Sequence, residues 1–305
     1  MAAIAYVSDE KMLDYHRVNG CQEIVFWRTS TKKFSSFQPG DLLFFLSKGS
    51  ERRKEKGVVG YGCFQGEKQM SVDNLWKKYG NMPGYNTKEE LKLAIETKTN
   101  RIPEKISCLF LNDVIFFMGP IYLSELGIKL PSKLESFTYL DTHEGHVTLE
   151  LLQKVKEVGI DYWSATLNSQ EIDMDKFNNE LLRYQIASIY ESMNIGLNNK
   201  NLTFNKHCFN SFKDIKPQWI NNNKNSFVTF DKNKIKLYYI FHSSQKELKD
   251  NYIQTLGELV FIKNSLTHTV NEDVDIIVLS NVEFTDIQRE ALLDNRLEYI
   301  VVDHR

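Results

Sequence analysis

Gln38-Pro39-Gly40-Asp41-Leu42-Leu43-Phe44-Phe45, preceded by Phe26-Trp27-Arg28 and followed by Gly57-Val58-Val59-Gly60-Tyr61-Gly62, decides the reading of the first half of this chain. The three stretches predict successive β-strands. A Pro-Gly-Asp turn feeds the middle one, and glycines flank the last where backbone must bend or approach another group closely. Working outward, strands are expected at Ala3–Val7, Gln22–Arg28, Asp41–Ser47, Gly57–Gln65 and Ile106–Phe117, all rich in aromatic and β-branched residues. Two helices interrupt them. Ser71 is placed to cap the first, and Thr87 with Glu90 three residues later forms the capping-box pattern of the second. Strands interrupted by a helix or two predict a small barrel rather than a sandwich.

From about Val147 the period changes to 3.6. Leu149, Leu151, Leu152, Val155 and Val158 mark one helix, and Phe177, Leu181, Leu182, Tyr184, Ile186 and Ile189 mark another. Ser192–Asn225 holds ten asparagines among 34 residues and few periodic apolar positions, which predicts a connector. Beyond it an α/β order returns. Phe227–Phe230 and Ile235–Phe241 read as paired strands, Lys246–Leu266 as a long helix, Asp275–Leu279 as a buried strand, Asp286–Leu293 as a helix and Leu297–Val302 as a last strand. The expected fold class is therefore α+β. Its divisions are an N-terminal β domain over 1–145, a helical bridge and Asn-rich connector over 146–225, and an α/β domain over 226–305.

At 305 residues the chain has room for two domains, and 42% hydrophobic with 26% charged residues is ordinary globular composition. No apolar run reaches the roughly 18 residues that span a bilayer. Met1–Ser8 has neither a basic region nor a long apolar core, so no signal peptide is expected, and the chain reads as cytoplasmic without a membrane partner. Cys21, Cys63, Cys108 and Cys208 form no C-x-x-C pair, which supports neither a disulfide framework nor a zinc knuckle. The net charge of −2 does not segregate along the chain. A protein that coats DNA non-specifically would be basic, so any nucleic-acid contact must be a local pocket with a few basic loops.

The strands quoted above, with Asn74-Leu75-Trp76-Lys77-Lys78-Tyr79-Gly80, Ile106-Ser107-Cys108-Leu109-Phe110-Leu111 and Phe116-Phe117, resemble the PUA-like (EVE-related) base-reading domain. That domain stands at the N-terminus of some bacterial modification-dependent HNH endonucleases. The resemblance runs over roughly residues 20 to 140. It implies recognition of modified DNA bases, modified cytosine in particular, in a restriction or anti-phage defence system. An aromatic group, Phe26, Trp27, Phe44, Phe45, Tyr61 and Tyr85, offers flat surfaces for a base to stack on, and Arg28 a planar donor. Strand alternation sends Trp27 and Arg28 to opposite faces unless the strand ends there. Core packing is the competing reading for each aromatic. Arg52, Arg53, Lys54 and Lys56 lie between two strands, where a hairpin tip grips phosphates or merely stays solvated. The stretch Tyr15–Gly20 with His16 precedes the second strand and is placed to approach a ligand.

His143-Glu144-Gly145-His146 lacks the further ligands that zinc requires and lies where a helix should start. The C-terminal order resembles the back half of a Mrr-like restriction-endonuclease fold, on Asp275–Ser280, Phe284-Thr285 and Tyr299–Asp303. Active members of that family carry Glu/Gln-x-Lys on the second core strand; here Ile240 and His242 stand in those places. The chemistry thus looks missing, and no HNH module is present. The expectation is a reader whose effector is a nuclease or NTPase partner subunit, with pairing of two copies through the C-terminal domain. No cofactor is expected. The alternative is a Mg²⁺-dependent endonuclease with a divergent site drawn from Asp231, His242, Lys246 and Glu247. A further alternative is an RNA-binding PUA-like protein.

Overall fold

The computed structural model describes residues 2–49, 54–131, 133–141, 146–161, 174–193, 201–220, 223–231, 234–244, 246–270 and 273–303. It divides the chain into two compact units, one reaching from Ala2 to Lys176 and the other from Phe177 to the C-terminus. Both mix helices with a sheet, so the fold class is α+β. Among the described residues no helix is long and apolar enough to cross a membrane.

The first unit carries β1 (Ile4–Val7), α1 (Glu10–Val18), β2 (Ile24–Arg28), β3 (Leu42–Ser47), β4 (Gly57–Met70), α2 (Val72–Tyr79), α3 (Lys88–Thr99), β5 (Ile106–Tyr122), β6 (Phe137–Tyr139) and α4 (Val147–Val158). Its strands form one mixed sheet in the order β2-β5-β4-β3-β1-β6. The turn before β3 has the expected mechanism. Gly40 sits at φ 96°, the left-handed region that favours glycine, and the Asp41 carboxylate accepts from the Gln38 N–H at 2.7 Å. Ser71 caps α2, and Thr87 with Glu90 closes a full capping box on α3.

The two long strands outrun the sequence pattern. β4 continues to Met70 and β5 to Tyr122, because three register shifts let β4 bend while it stays paired. At Gly60 a Cβ would stand 2.4 Å from the Ile115 carbonyl oxygen, so the two strands approach more closely there than any side chain allows. Alternation then sorts the aromatics. Leu43, Phe45, Phe26 and Phe64 join the core beneath α2 and α3, with Val72, Leu75, Leu91 and Ile95. Phe44 points the other way and meets Tyr61, with ring centroids 5.7 Å apart, and Tyr61 in turn meets Phe117.

The second unit is built on a sheet of β7 (Gln218–Trp219), β8 (Ser226–Asp231), β9 (Lys234–Phe241), β10 (Val274–Ser280) and β11 (Glu298–Val301), in the order β11-β10-β9-β8-β7. β9, β10 and β11 run parallel, and β8 and β7 are antiparallel additions. Its helices are α5 (Met174–Ser192, belonging to this unit from Phe177 on), α6 (Leu202–Ser211), α7 (Leu248–Thr269) and α8 (Asp286–Asp294). One face of the sheet packs Leu237, Tyr239, Ile276 and Val278 against α5, α7 and α8. The other packs Phe227, Tyr238, Ile240 and Ile277 against Phe204 and Cys208 of α6. α6 and β7 both fall inside the Asn-rich stretch; Asn201 supplies the N-cap of α6 by accepting from the Phe204 N–H at 3.0 Å.

Candidate nucleic-acid site

The first unit holds a cavity of about 1250 Å³, walled by the ends of β1 and β2, by α1, by α3 and by the loop before α3. The chain brings its chemistry together at the N-terminus of α1. Asp9 is the N-cap, and its Oδ1 accepts from the Met12 N–H at 3.1 Å. The same oxygen accepts from the Tyr85 hydroxyl at 2.8 Å, and Oδ2 lies 3.5 Å from Lys98 Nζ on α3. That ammonium stands 4.6 Å from the centroid of the Trp27 ring, a cation–π arrangement. Trp27 and Tyr85 lie side by side, with centroids 6.4 Å apart. Asp9, Trp27, Tyr85 and Lys98 thus form one connected group on the cavity wall.

Burial sets the electrostatics of this group. It pushes Lys98 below the usual lysine range; Lys48 adds to that, while Asp9 opposes it. It raises Tyr85 far above the usual phenol range, and Asp9 adds to the rise, so Tyr85 is a neutral donor at any ordinary pH. Six basic and five acidic residues line the cavity, so attraction for phosphate is confined to the lysines of its rim, such as Lys48, Lys56 and Lys133.

The sequence-expected residues divide. Phe26, Trp27, Arg28 and Tyr85 all line the cavity. Trp27 and Arg28 can share a wall because β2 ends at Arg28, where alternation ceases to bind them. Arg28 is nevertheless committed elsewhere: it is buried, pairs with Glu67 at 2.9 Å, donates to the Lys32 carbonyl and lies 4.2 Å from the Phe34 ring centroid. Phe44 and Tyr61 are fully buried on the other side of their strands and do not line the cavity. Lys56 lines it; Lys54 is exposed and does not; Arg52 and Arg53 lie outside the described residues. His16 is wholly buried behind the wall and held neutral, its pKa lowered to about 4 by burial. Asp9 and Lys98 escaped sequence reasoning because neither belongs to a motif. Asp9 had a signal, since an Asp before the helical stretch 10–18 reads as an N-cap.

His146 takes the position before α4 at φ 93°, while His143 and Glu144 lie outside the described residues. Among the described residues no group of three or more His, Cys, Asp and Glu side chains is placed to hold a metal ion. In the second unit Asp231 ends β8 opposite Lys234 at the start of β9, whereas His242 follows Phe241 at its far end. Eight strand residues separate them, about 25 Å at the usual strand rise. His242 Nε2 meets the Asn201 amide at 2.9 Å, and Glu247 accepts from Ser244 at 3.0 Å. Lys246 is exposed. The four residues of the endonuclease alternative therefore do not converge on one point.

No family model and no curated protein matches the chain. Two solved structures of ASCH from Zymomonas mobilis, the wild type and a serine-to-alanine mutant, are similar to it at 17% and 16% identity with TM-scores of 0.34 and 0.36. Each similarity covers 50% of this chain, and 94% and 95% of the respective ASCH chains. Likeness that distant assigns no chemistry, and the functional reading rests on the cavity itself.

Proposed function

We propose that the first unit is a PUA-like nucleic-acid-binding module that takes one extruded or unpaired base into the cavity beside Trp27. On this reading the chain is a cytoplasmic sensor of modified DNA bases, modified cytosine above all, in a bacterial restriction or anti-phage defence system. The observation that carries it is the wall group: an indole, a half-desolvated ammonium, a carboxylate and a neutral phenol on one side of a cavity of about 1250 Å³. A base in a pocket needs an apolar aromatic surface and a few polar groups at its edge; Trp27 and Tyr85 border the cavity with only 4% of each exposed, and Asp9 and Lys98 supply the polar groups. Extrusion costs a few kcal/mol, and stacking of about 1–3 kcal/mol per base with edge hydrogen bonds offsets it. The volume leaves space beyond a bare pyrimidine for a substituent, while Lys48, Lys56 and Lys133 at the rim meet phosphates.

The effector chemistry belongs to a nuclease or NTPase partner subunit. Asp231, at the end of β8 beside the start of β9, and His242, just past the other end of β9, stand far apart, which disfavours the endonuclease alternative. Partner recruitment and pairing of two copies fall to the second unit, where Ile253 and Phe261 on α7 are left exposed.

Trp27→Ala tests the reading. Binding of oligonucleotides with and without a modified cytosine should show a preference in the wild type and none in the variant. An equal preference in both would remove Trp27 from the site. RNA competing as well as modified DNA would redirect the assignment to RNA.

A further inference from the structure

We infer that the second unit pairs with a second copy of this chain through α7, the two helices crossing antiparallel about a two-fold axis at Gly257. The inference gives a contact to the pairing of copies assigned above to this unit, and it is independent of base binding in the first unit. α7 turns Tyr252, Leu259, Ile262 and Leu266 inward, against the sheet and α8. Its outer side carries Ile253 and Phe261, 60% and 64% exposed, with Gly257, also exposed, midway between them. The three stand at i, i+4 and i+8 and so form one ridge along the helix.

Glycine is the least favourable helix-interior residue after proline, because it gives up the most conformational freedom on folding. Nothing within the chain calls for it at 257, where a Cβ would meet no atom within 4 Å. A second helix crossing the ridge at that gap would use it. The ridge is symmetric about the gap, with a large apolar side chain four residues to either side. A two-fold axis through Gly257 therefore sets Ile253 of each copy against Phe261 of the other, while the two glycines let the backbones close in. Such self-complementarity is what an isologous contact requires and a different partner does not.

The same face is cleared of charge. Between Asp250 and His268 the helix has only two charged residues, Glu258 and Lys263, and both are engaged within the unit. Glu258 accepts from the Tyr239 hydroxyl at 2.7 Å and from the Gln254 amide at 2.9 Å. Lys263 donates to the Asn295 and Arg296 carbonyls at 2.8 Å each. Depletion of charge at the centre of an apolar patch marks the core of an interface. Antiparallel crossing also brings the partly positive N-terminus of each helix toward the partly negative C-terminus of the other.

The available area sets the expected strength. α7 has 22 residues, so its outer side is a strip about 33 Å long and about 10 Å wide. α8 lies beside it, tied by the Tyr252 hydroxyl to the Gln288 carbonyl at 2.6 Å, and leaves Ile287 and Leu293 exposed. Together the two helices offer roughly 450 Å² in projection, near the lower end of specific interfaces at about 600 Å² per partner. A dimer of micromolar affinity is the expectation.

The test is sedimentation of the full chain over about 1–200 μM, the range in which so small an interface half-associates. The wild type should pass from monomer to dimer, and Phe261→Glu, a change at an exposed position, should remain monomeric throughout. Gly257→Ala should weaken the dimer at least about 10-fold, yet raise the melting temperature of the dilute monomer, because alanine is the better helix former. Gly257→Cys stands on the axis and should crosslink to its own mate on oxidation. Thr267→Cys, about 30 Å from its mate at the helical rise, should not. A wild type that stays monomeric would overturn the inference and leave the α7 face to a partner of different sequence. A dimer that survives Phe261→Glu, or crosslinks no better at 257 than at 267, would place the pairing elsewhere and overturn it too. Oligonucleotide binding is read separately, and its absence in the wild type would end the base-binding reading without touching this one.

Discussion

Protonating His16 should destabilise the first unit in mild acid, and a single substitution should remove the effect. His16 is wholly buried on α1, neither ring nitrogen has a hydrogen-bond partner among the described residues, and burial lowers its pKa to about 4 from the model-peptide value of 6.5. Gly84 crowds it from the cavity side: at φ 86°, a Cβ there would lie 2.8 Å from His16 Nε2 and 2.9 Å from the Met12 carbonyl oxygen. The folded imidazole therefore binds a proton less readily than the unfolded one. Its contribution to stability is complete above pH 6.5, falls as the pH drops toward 4, and is constant again below that. The separation of about 2.5 pH units, at about 1.4 kcal/mol each, amounts to roughly 3 kcal/mol, of which about 2.5 kcal/mol is already lost at pH 4.5. His16→Leu gives up no hydrogen bond seen in the structure, so it should cost less than about 1.5 kcal/mol at pH 7.5. Amide hydrogen exchange of the α1 and β2 peptides, corrected for intrinsic rates and compared at pH 7.5 and 4.5, isolates the histidine. The wild type should lose about 2.5 kcal/mol more protection than His16→Leu over that interval. An identical loss in both proteins would refute the argument.

Two further substitutions probe the frame. Gly60→Ala drives a Cβ to 2.4 Å from the Ile115 oxygen and 3.1 Å from the Phe116 Cα, so one long strand must move; urea denaturation should show a loss of about 1–3 kcal/mol. Gly66→Ala on the same strand meets nothing within 4 Å and should be near neutral. On α5, Arg183 and Glu180 form a buried ion pair at 2.6 Å, and Arg183 also donates to the Trp219 carbonyl at 3.0 Å. Arg183→Met strands the carboxylate and should cost about 3–5 kcal/mol, while adding Glu180→Leu should restore most of it, measured by thermal unfolding.

Much of the architecture was legible because local chemistry and tertiary packing agree. The Thr87 and Glu90 spacing announced α3 and its capping box, and Gly40 between Pro39 and Asp41 announced the turn into β3. The ends of β4 and β5 were hidden because Gly66–Met70 lacks alternating apolar residues and its pairing is maintained across register shifts. α6 was obscured by its asparagines, one of which, Asn201, proves to be its cap. The site was half legible. Trp27 and Tyr85 declare themselves as aromatics, but separating them from Phe44 and Tyr61 depends on the phase of each strand, and one residue of slip reverses it. The meeting of Asp9 with Lys98, across 89 positions of sequence, is created by the placement of α1 against α3 and has no local signature.

The most direct measurement is fluorescence anisotropy at fixed salt on matched oligonucleotides carrying cytosine, methylcytosine, hydroxymethylcytosine or a glucosylated base, with Mg²⁺ added after binding is complete. Tighter binding to at least one modified strand, with every strand still intact after Mg²⁺, is the predicted result. Equal affinity for all four would contradict base sensing, and cleavage by the chain alone would contradict the assignment of the chemistry to a partner.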